Sequence, residues 1–216
     1  MKKKLSIILA CIMVMSVLGG CGASFDAASY IKALLDNTYK NDSSEMVSMK
    51  IATAEEAAKL YEEGLDAEIA AMVSGMEGYV SAEQEEAYRQ VFADAYAAVK
   101  YTVEGAEKQD DGSYIVTVTY EQMNVFEPAM EEYMNQIINN SADMYDATEA
   151  EMMEWLLTLL KDCIAESLKT ATYDDPQTLT VKVSLVDNVW TPSESDLEDF
   201  AKVIFDLDDA NSVLGY

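Results

Sequence analysis

The sequence predicts an α+β fold, in which an antiparallel sheet of two hairpins packs against several amphipathic helices. Two observations lead to this class. In most of the chain, apolar residues recur at the 3.6-residue spacing of helices, and in two stretches the period changes to the alternation of strands. Turn residues interrupt the alternating stretches, as they do in hairpins. A two-layer domain of sheet and helices buries all of these apolar stripes.

The first half of the chain predicts three helices. The first runs from Asp26 to about Lys40, and Ser24 or Asp26 is placed to cap it. A polar break follows at residues 41–44. The second and third helices each begin at a capping box, Thr53-Ala-Glu-Glu56 and Ser81-Ala-Glu-Gln84, and Gly75 and Gly78 end the second. We expect these helices to bury Tyr30, Ile31, Leu34, Leu35 and Tyr39; Ala57, Leu60, Tyr61, Leu65, Ile69, Met72 and Val73; and Tyr88, Val91, Phe92, Ala95, Tyr96 and Val99.

A hairpin is predicted next, since residues 101–103 and 114–120 alternate around the turn Asp110-Asp111-Gly112. Two more helices follow, one over residues 127–139 and one that begins at the capping box Thr148-Glu-Ala-Glu151. We expect them to bury Met130, Tyr133, Met134, Ile137 and Ile138, and then Met152, Trp155, Leu156, Leu159, Leu160, Cys163, Ile164 and Leu168.

A second hairpin is predicted from a short strand over residues 170–173, a turn at Asp174-Asp175-Pro176 and a strand over residues 178–186. A last helix begins at Ser193-Glu-Ser-Asp196. It is expected to bury Leu197, Phe200, Ala201, Ile204 and Phe205.

The order helix, helix, hairpin therefore occurs twice, about 65 to 67 residues apart. An internal duplication and a convergent α+β layout explain this order equally well. Residues 25–216 are interpreted as a single domain, because a pair of similar subdomains would leave two small cores.

The N-terminus predicts a secretion signal. Lys2, Lys3 and Lys4 precede an apolar run from Leu5 to Leu18, which is too short to span a bilayer and ends in small residues. Leu18-Gly19-Gly20-Cys21 resembles a bacterial lipobox. This resemblance implies that Cys21 is diacylated after removal of residues 1–20, with residues 21–24 as a short tether. The alternative is an ordinary signal peptide with a cysteine near its cleavage site.

The lipobox and three other short motifs resemble a family of small lipoproteins of Gram-positive gut bacteria whose domains have unknown function, and the nuclear-transport-factor-2-like or cystatin-like α+β folds. They are the lipobox, residues 30–36 (Tyr-Ile-Lys-Ala-Leu-Leu-Asp), Asp111-Gly-Ser-Tyr114 and Asp187-Asn-Val-Trp190. The family has no active site to transfer. The resemblance therefore implies a fold and a location, the outer face of the cell membrane, and nothing about chemistry.

Charge and composition exclude several functions. The net charge is −26, and removal of the signal peptide, which holds three lysines and no acid, brings it to about −29. Such a surface repels nucleic acid. The chain has no histidine, which excludes Ser-His-Asp and Cys-His systems and histidine metal sites. Cys163 lies on an apolar stripe beside Asp162, so we expect a buried, inert thiol.

The remaining candidates are acids and tryptophans. Acidic residues cluster in three first helical turns (Glu83, Glu85 and Glu86; Glu149 and Glu151; Asp196, Glu198 and Asp199), where the helix dipole stabilises them. Asp206 to Asn211 hints at weak calcium binding, but its spacing excludes an EF-hand. Trp155 and Trp190 are expected to pack in the core, with a sugar or peptide platform as the alternative for Trp190. No cofactor, metal ligand or catalytic residue is predicted.

Two functions follow from these observations. The first is a membrane-anchored, non-enzymatic domain that binds an envelope protein or a small molecule. The alternative is a carboxylate-based hydrolase of cell-wall or glycan material, which would need two acids in one cleft. Pairing of two copies through an exposed sheet face is a third hypothesis for how the domain associates.

Overall fold

The computed structural model describes residues 25–74, 78–142 and 145–205, together with the backbone of residues 17–18. It confirms the α+β class: in this part of the chain, seven helices accompany antiparallel strands. The lipobox Cys21, Gly75 and the Asp206–Asn211 stretch lie outside the described residues. No helix among the described residues combines the length and the apolar character that a membrane span requires.

The helices begin where their caps predict. They are α1 Ala27–Lys40, α2 Ser44–Ser48, α3 Ala54–Met72, α4 Ala82–Ala98, α5 Phe126–Asn140, α6 Glu149–Lys169 and α7 Glu194–Ile204. Asp26 caps α1 by accepting from the backbone N–H of Ser29. All three predicted capping boxes form, at the starts of α3, α4 and α6. The short helix α2 was missed, because five residues are too few to show a helical period.

The strands are β1 Val17–Leu18, β2 Lys100–Lys108, β3 Tyr114–Glu121, β4 Met123–Asn124, β5 Thr172–Tyr173, β6 Gln177–Val186 and β7 Val189–Pro192. The main sheet is antiparallel, in the order β1-β7-β6-β3-β2, and β4 pairs with β5 in a separate sheet. The first predicted hairpin is confirmed as β2 and β3, with Gly112 at a φ of 84° in its turn. Strand β1 lies within the predicted signal peptide.

The pairing of the second hairpin was predicted wrongly. The short strand β5 pairs with β4, not with β6. Strand β6 instead forms a hairpin with β7, and the two strands are joined by Asp187 and Asn188, whose φ angles are 50° and 65°. Both residues of this two-residue loop have a left-handed backbone conformation, which matches the twist of the flanking strands. The loop therefore makes a tighter hairpin than the predicted turn at residues 174–176 would. The observed helix and hairpin order leaves the duplication and the convergent layout as alternatives.

The core lies between the sheet and α1. Val116, Val118, Val181 and Val183 alternate along β3 and β6 and are at most 1% exposed. Helix α1 contacts β2 and β3 on one side and α2, α3 and α4 on the other. Helix α7 contacts β6, and its five predicted core residues are all buried.

The predicted helix is confirmed as α5, but only part of its predicted core is. Met130 is buried and Tyr133 and Ile137 are half-buried, whereas Met134 and Ile138 are 39% and 68% exposed. The reason is that α5 packs mainly against α6, and no other described element makes a comparable contact with it. On α6, Met152 is also exposed, and Leu157, which lies outside the predicted stripe, is 3% exposed. Helix α6 lies between α4 and α5, so it has two contact faces rather than one stripe.

Phe200 joins the two layers and provides a test of the packing. Its ring meets Tyr39, Tyr101 and Tyr120 edge-on, at centroid distances of 5.8, 6.0 and 6.2 Å, and it is 1% exposed. Phe200→Ala should lower the free energy of unfolding by about 3 to 5 kcal/mol, measured by urea denaturation. Val47→Ala, at a 40% exposed site on α2, should change it by less than about 0.5 kcal/mol. Equal effects of the two variants would contradict this packing.

Candidate functional site

The predicted anchor leads into an aromatic cluster. Phe25 lies four residues after Cys21, and its ring stacks on Trp190 at 4.3 Å with an interplanar angle of 5°. Tyr114 meets Phe25 and Trp190 edge-on at 5.7 and 5.4 Å. The Tyr30 hydroxyl donates to the Trp190 carbonyl at 3.1 Å. The start of the domain is therefore held firmly against β7 and the first residue of β3.

The predicted tryptophan platform is partly occupied by the protein itself. Trp190 is half-buried, and the Phe25 ring covers one of its faces. Trp155 is half-buried on α6. The contacts of Trp190 thus agree with its expected role in packing.

The predicted acid clusters lie where the helix dipole favours them. Glu83 and Glu85 are in the first turn of α4, Glu149 and Glu151 in that of α6, and Asp196 in that of α7. Asp196 also accepts from the backbone N–H of Lys182 at 2.8 Å and so ties α7 to β6. In the described part of the chain, no three acids or cysteines are close enough together to hold a metal ion.

Cys163 is buried, as the sequence predicts. Burial, together with the negative charges of Glu132 and Asp162, raises the pKa of its thiol. Because the thiolate is the reactive form, a raised pKa makes this cysteine a poor nucleophile.

A desolvated acid that the sequence analysis missed lies on α3. Glu68 is 4% exposed, and the Tyr96 hydroxyl donates to its Oε1 at 2.8 Å. Burial raises the pKa of this carboxyl to about 8, so it is protonated near neutral pH. The signal was present in the sequence, since Glu68 follows Leu65 by three residues and Tyr61 by seven and so falls on the buried stripe of α3.

A small polar cavity lies next to this pair. Its volume is about 10 Å³, and its lining includes Asn37, Thr38, Tyr61 and Tyr96. Asn37 is buried and donates through Nδ2 to the carbonyl of Ala57 at 3.1 Å, while its Oδ1 meets no hydrogen-bond donor among the described residues. A cavity of this size matches a single water molecule, and it is far too small for a sugar ring. The acid beside it therefore does not form the two-carboxylate cleft that a glycosidase needs.

A further exposed surface is formed by α5, α6 and the connection between them, which we call the α5–α6 arm (residues 126–142 and 145–169). Eight large hydrophobic residues are exposed in the described chain, and four of them, Met134, Ile138, Tyr145 and Met152, belong to this arm. A fifth, Tyr79, donates through its hydroxyl to Glu149 at the start of α6 at 2.8 Å. Exposed apolar side chains therefore concentrate in one region, which is typical of an interaction surface.

Hydrogen bonds fix the arm to the rest of the domain. Ser167 Oγ donates to the carbonyl of Val125 at 2.8 Å, near the C-terminal end of α6. Along α6, the Tyr88 hydroxyl donates to the Leu157 carbonyl, and Gln84 Nε2 donates to the Glu154 carbonyl at 3.4 Å. Because the partners advance together along both helices, α4 and α6 run in the same direction, side by side. The arm is thus a positioned element of the fold.

Comparison of the chain with protein-family models, curated proteins and solved structures finds no match. The resemblance to Gram-positive lipoproteins therefore stays a prediction.

The buried carboxyl gives a pH-dependent stability. The folded pKa of Glu68 is about 8, against 4.5 for an ordinary glutamate, so between these values the folded state binds more protons than the unfolded state. Stability contributed by this group should therefore fall as pH rises from about 4.5 to about 8, by up to about 1.4 kcal/mol per pH unit. Glu68→Gln keeps an acceptor for Tyr96 and should remove this slope.

The measurement is urea denaturation at several pH values across this window. Glu55→Gln, which changes an exposed acid of the same helix, should leave the slope as it is in the wild type. If Glu68→Gln also left the slope unchanged, Glu68 would be ionised in the folded protein.

Proposed function

We propose that the protein is a lipid-anchored lipoprotein of the extracytoplasmic face of the cell membrane, where its α+β domain acts as a non-enzymatic binding module. The observation that carries the binding function is the concentration of exposed apolar side chains on the α5–α6 arm. The lipobox-like sequence at Cys21 supports the anchor. Two acyl chains on one cysteine give an essentially permanent attachment.

The features at the two ends of β3 support one orientation of the domain on the membrane. Phe25 contacts Tyr114, the first residue of β3, and the predicted lipidation site Cys21 precedes Phe25 by only four residues in the sequence. The base of the arm lies beside Val125, just beyond the other end of β3. Since β3 spans eight residues, these two points are separated by about 26 Å of strand. The bilayer would therefore face the start of β3, and the arm would be attached at the far end.

Lipid attachment is tested by labelling growing cells with radioactive palmitate. The wild-type protein should be labelled and should stay in the envelope fraction, and Cys21→Ala should lose both properties, because no other residue would carry the acyl chains. Cys163→Ala is the matched control, since it removes the buried thiol and should leave label and location unchanged. Palmitate label that persisted in Cys21→Ala would refute the anchor.

The binding function is tested by affinity capture from envelope extract with the full chain carrying Cys21→Ala. Replacement of Met134 and Ile138 by Gln removes apolar surface from the arm without disturbing the core, because both side chains are exposed. The wild-type arm should retain envelope components that the double variant does not. Identical captured material from both proteins would show that the arm is not the binding surface.

A further inference from the structure

The α5–α6 arm has an unusual charge as well as an apolar surface. Residues 126–160 contain eight acidic residues and no lysine or arginine. Those that the structure describes are all exposed: Glu127, Glu131, Glu132, Asp146, Glu149, Glu151 and Glu154. In the described part of this segment, none of them forms an ion pair with a lysine or arginine side chain. Their charges are therefore available to a partner.

The apolar residues of the arm lie among these acids. Met134 and Ile138 are one helical turn apart on α5, so they share a face, and Glu131 lies one turn before Met134. Tyr145, which is 89% exposed, lies in the connection, and Met152, which is 40% exposed, lies in the first turns of α6. Methionine side chains are flexible and polarisable, so a surface that contains them adapts to different apolar partners.

The charge determines which partners suit this surface. Anionic lipid and nucleic acid are repelled by it. A second copy of the chain would bring one acidic rim against another, which is unfavourable because like charges at an interface cost free energy. A segment with apolar residues on one side and lysine or arginine on the other complements both features at once.

Building on the proposed binding function, we infer that the α5–α6 arm binds cationic amphipathic helices. The apolar face of such a helix packs on Met134 and Ile138, and its basic residues meet the acidic rim. In this mode of peptide recognition, an amphipathic helix lays its apolar face on an apolar surface of the domain, and the charges determine which helices bind.

The experiment uses a fluorescent synthetic helix of leucine and lysine, about 18 residues long or five turns, and measures its anisotropy with the full chain carrying Cys21→Ala. We expect saturable binding that weakens when salt is raised from about 50 to about 300 mM. Replacing Met134 and Ile138 by Gln should weaken binding about tenfold or more, because the apolar contact is lost while the charge is kept. Val47→Gln, on another exposed helix, should stay within about twofold of wild type.

A peptide of the same composition but with a scrambled, non-amphipathic order separates this mode from general attraction to an acidic protein. Binding of the scrambled peptide as tightly as of the amphipathic one would overturn the proposal. So would equal binding by wild type and the double variant, with circular dichroism confirming that both are folded. A dimer in sedimentation that the double variant abolishes would assign the surface to a second copy instead.

Failure of this inference can be told apart from failure of the proposed binding function. The peptide assay is made without the lipid, so it does not depend on the anchor. If the peptide fails to bind but capture from envelope extract still depends on Met134 and Ile138, the partner chemistry is wrong and the binding function stands. If neither depends on these residues, the binding function itself is wrong.

Discussion

Burial of α1 on nearly all its sides is the constraint on which the rest of the structure depends. Nine of its 14 residues are buried, so it is a central helix and not one that lies on the surface with a single apolar stripe. The sheet covers one side, and α2, α3 and α4 cover the other. Because the helix is enclosed, its polar residues Asn37 and Thr38 are buried as well. The small polar cavity and the protonated Glu68 nearby are consequences of closing a second helical layer over α1.

The same constraint accounts for the exposed arm. With α1 enclosed by the sheet and by α3 and α4, the main contact of α5 within the described part of the chain is α6. Helix α6 is positioned by α4, through the hydrogen bonds of Tyr88 and Gln84, and leaves the outer flank of α5 uncovered. An apolar flank without a partner costs solubility, and its placement among eight acidic residues offsets that cost. The described fold thus contains a surface, both acidic and apolar, whose exposed side chains lie outside the core.

Local signals in the sequence predicted most helix boundaries and the first hairpin. Each capping box is a contact within four residues, so its outcome does not depend on the rest of the fold. The pairing of β5 with β4 and the partial exposure of α5 could not be predicted, since both depend on contacts between distant segments. Ile138 illustrates the limit. Its spacing fits a buried stripe, but periodicity cannot tell whether a neighbouring element will cover the stripe.

For the candidate site, residue identities and three-dimensional contacts provide different information. The absence of histidine and the lipobox resemblance could be assigned from residue identity alone. The buried Glu68 was missed because glutamates are rarely buried, and the sequence does not show that Tyr96 lies next to it. The arm was missed because Met134, Ile138 and Met152 were assigned to the core, and only the three-dimensional contacts show them exposed.

The most direct test of this account is oxidative footprinting of Met134 and Met152, in the purified chain and on intact cells. Both side chains are exposed, so in the purified chain they should oxidise rapidly to the sulfoxide, while the fully buried Met46 reacts slowly. If a partner occupies the arm on cells, as proposed, oxidation of Met134 and Met152 should slow markedly there and that of Met46 should stay slow. Equal oxidation of the two arm methionines in both settings would contradict the claim that this surface is the binding site.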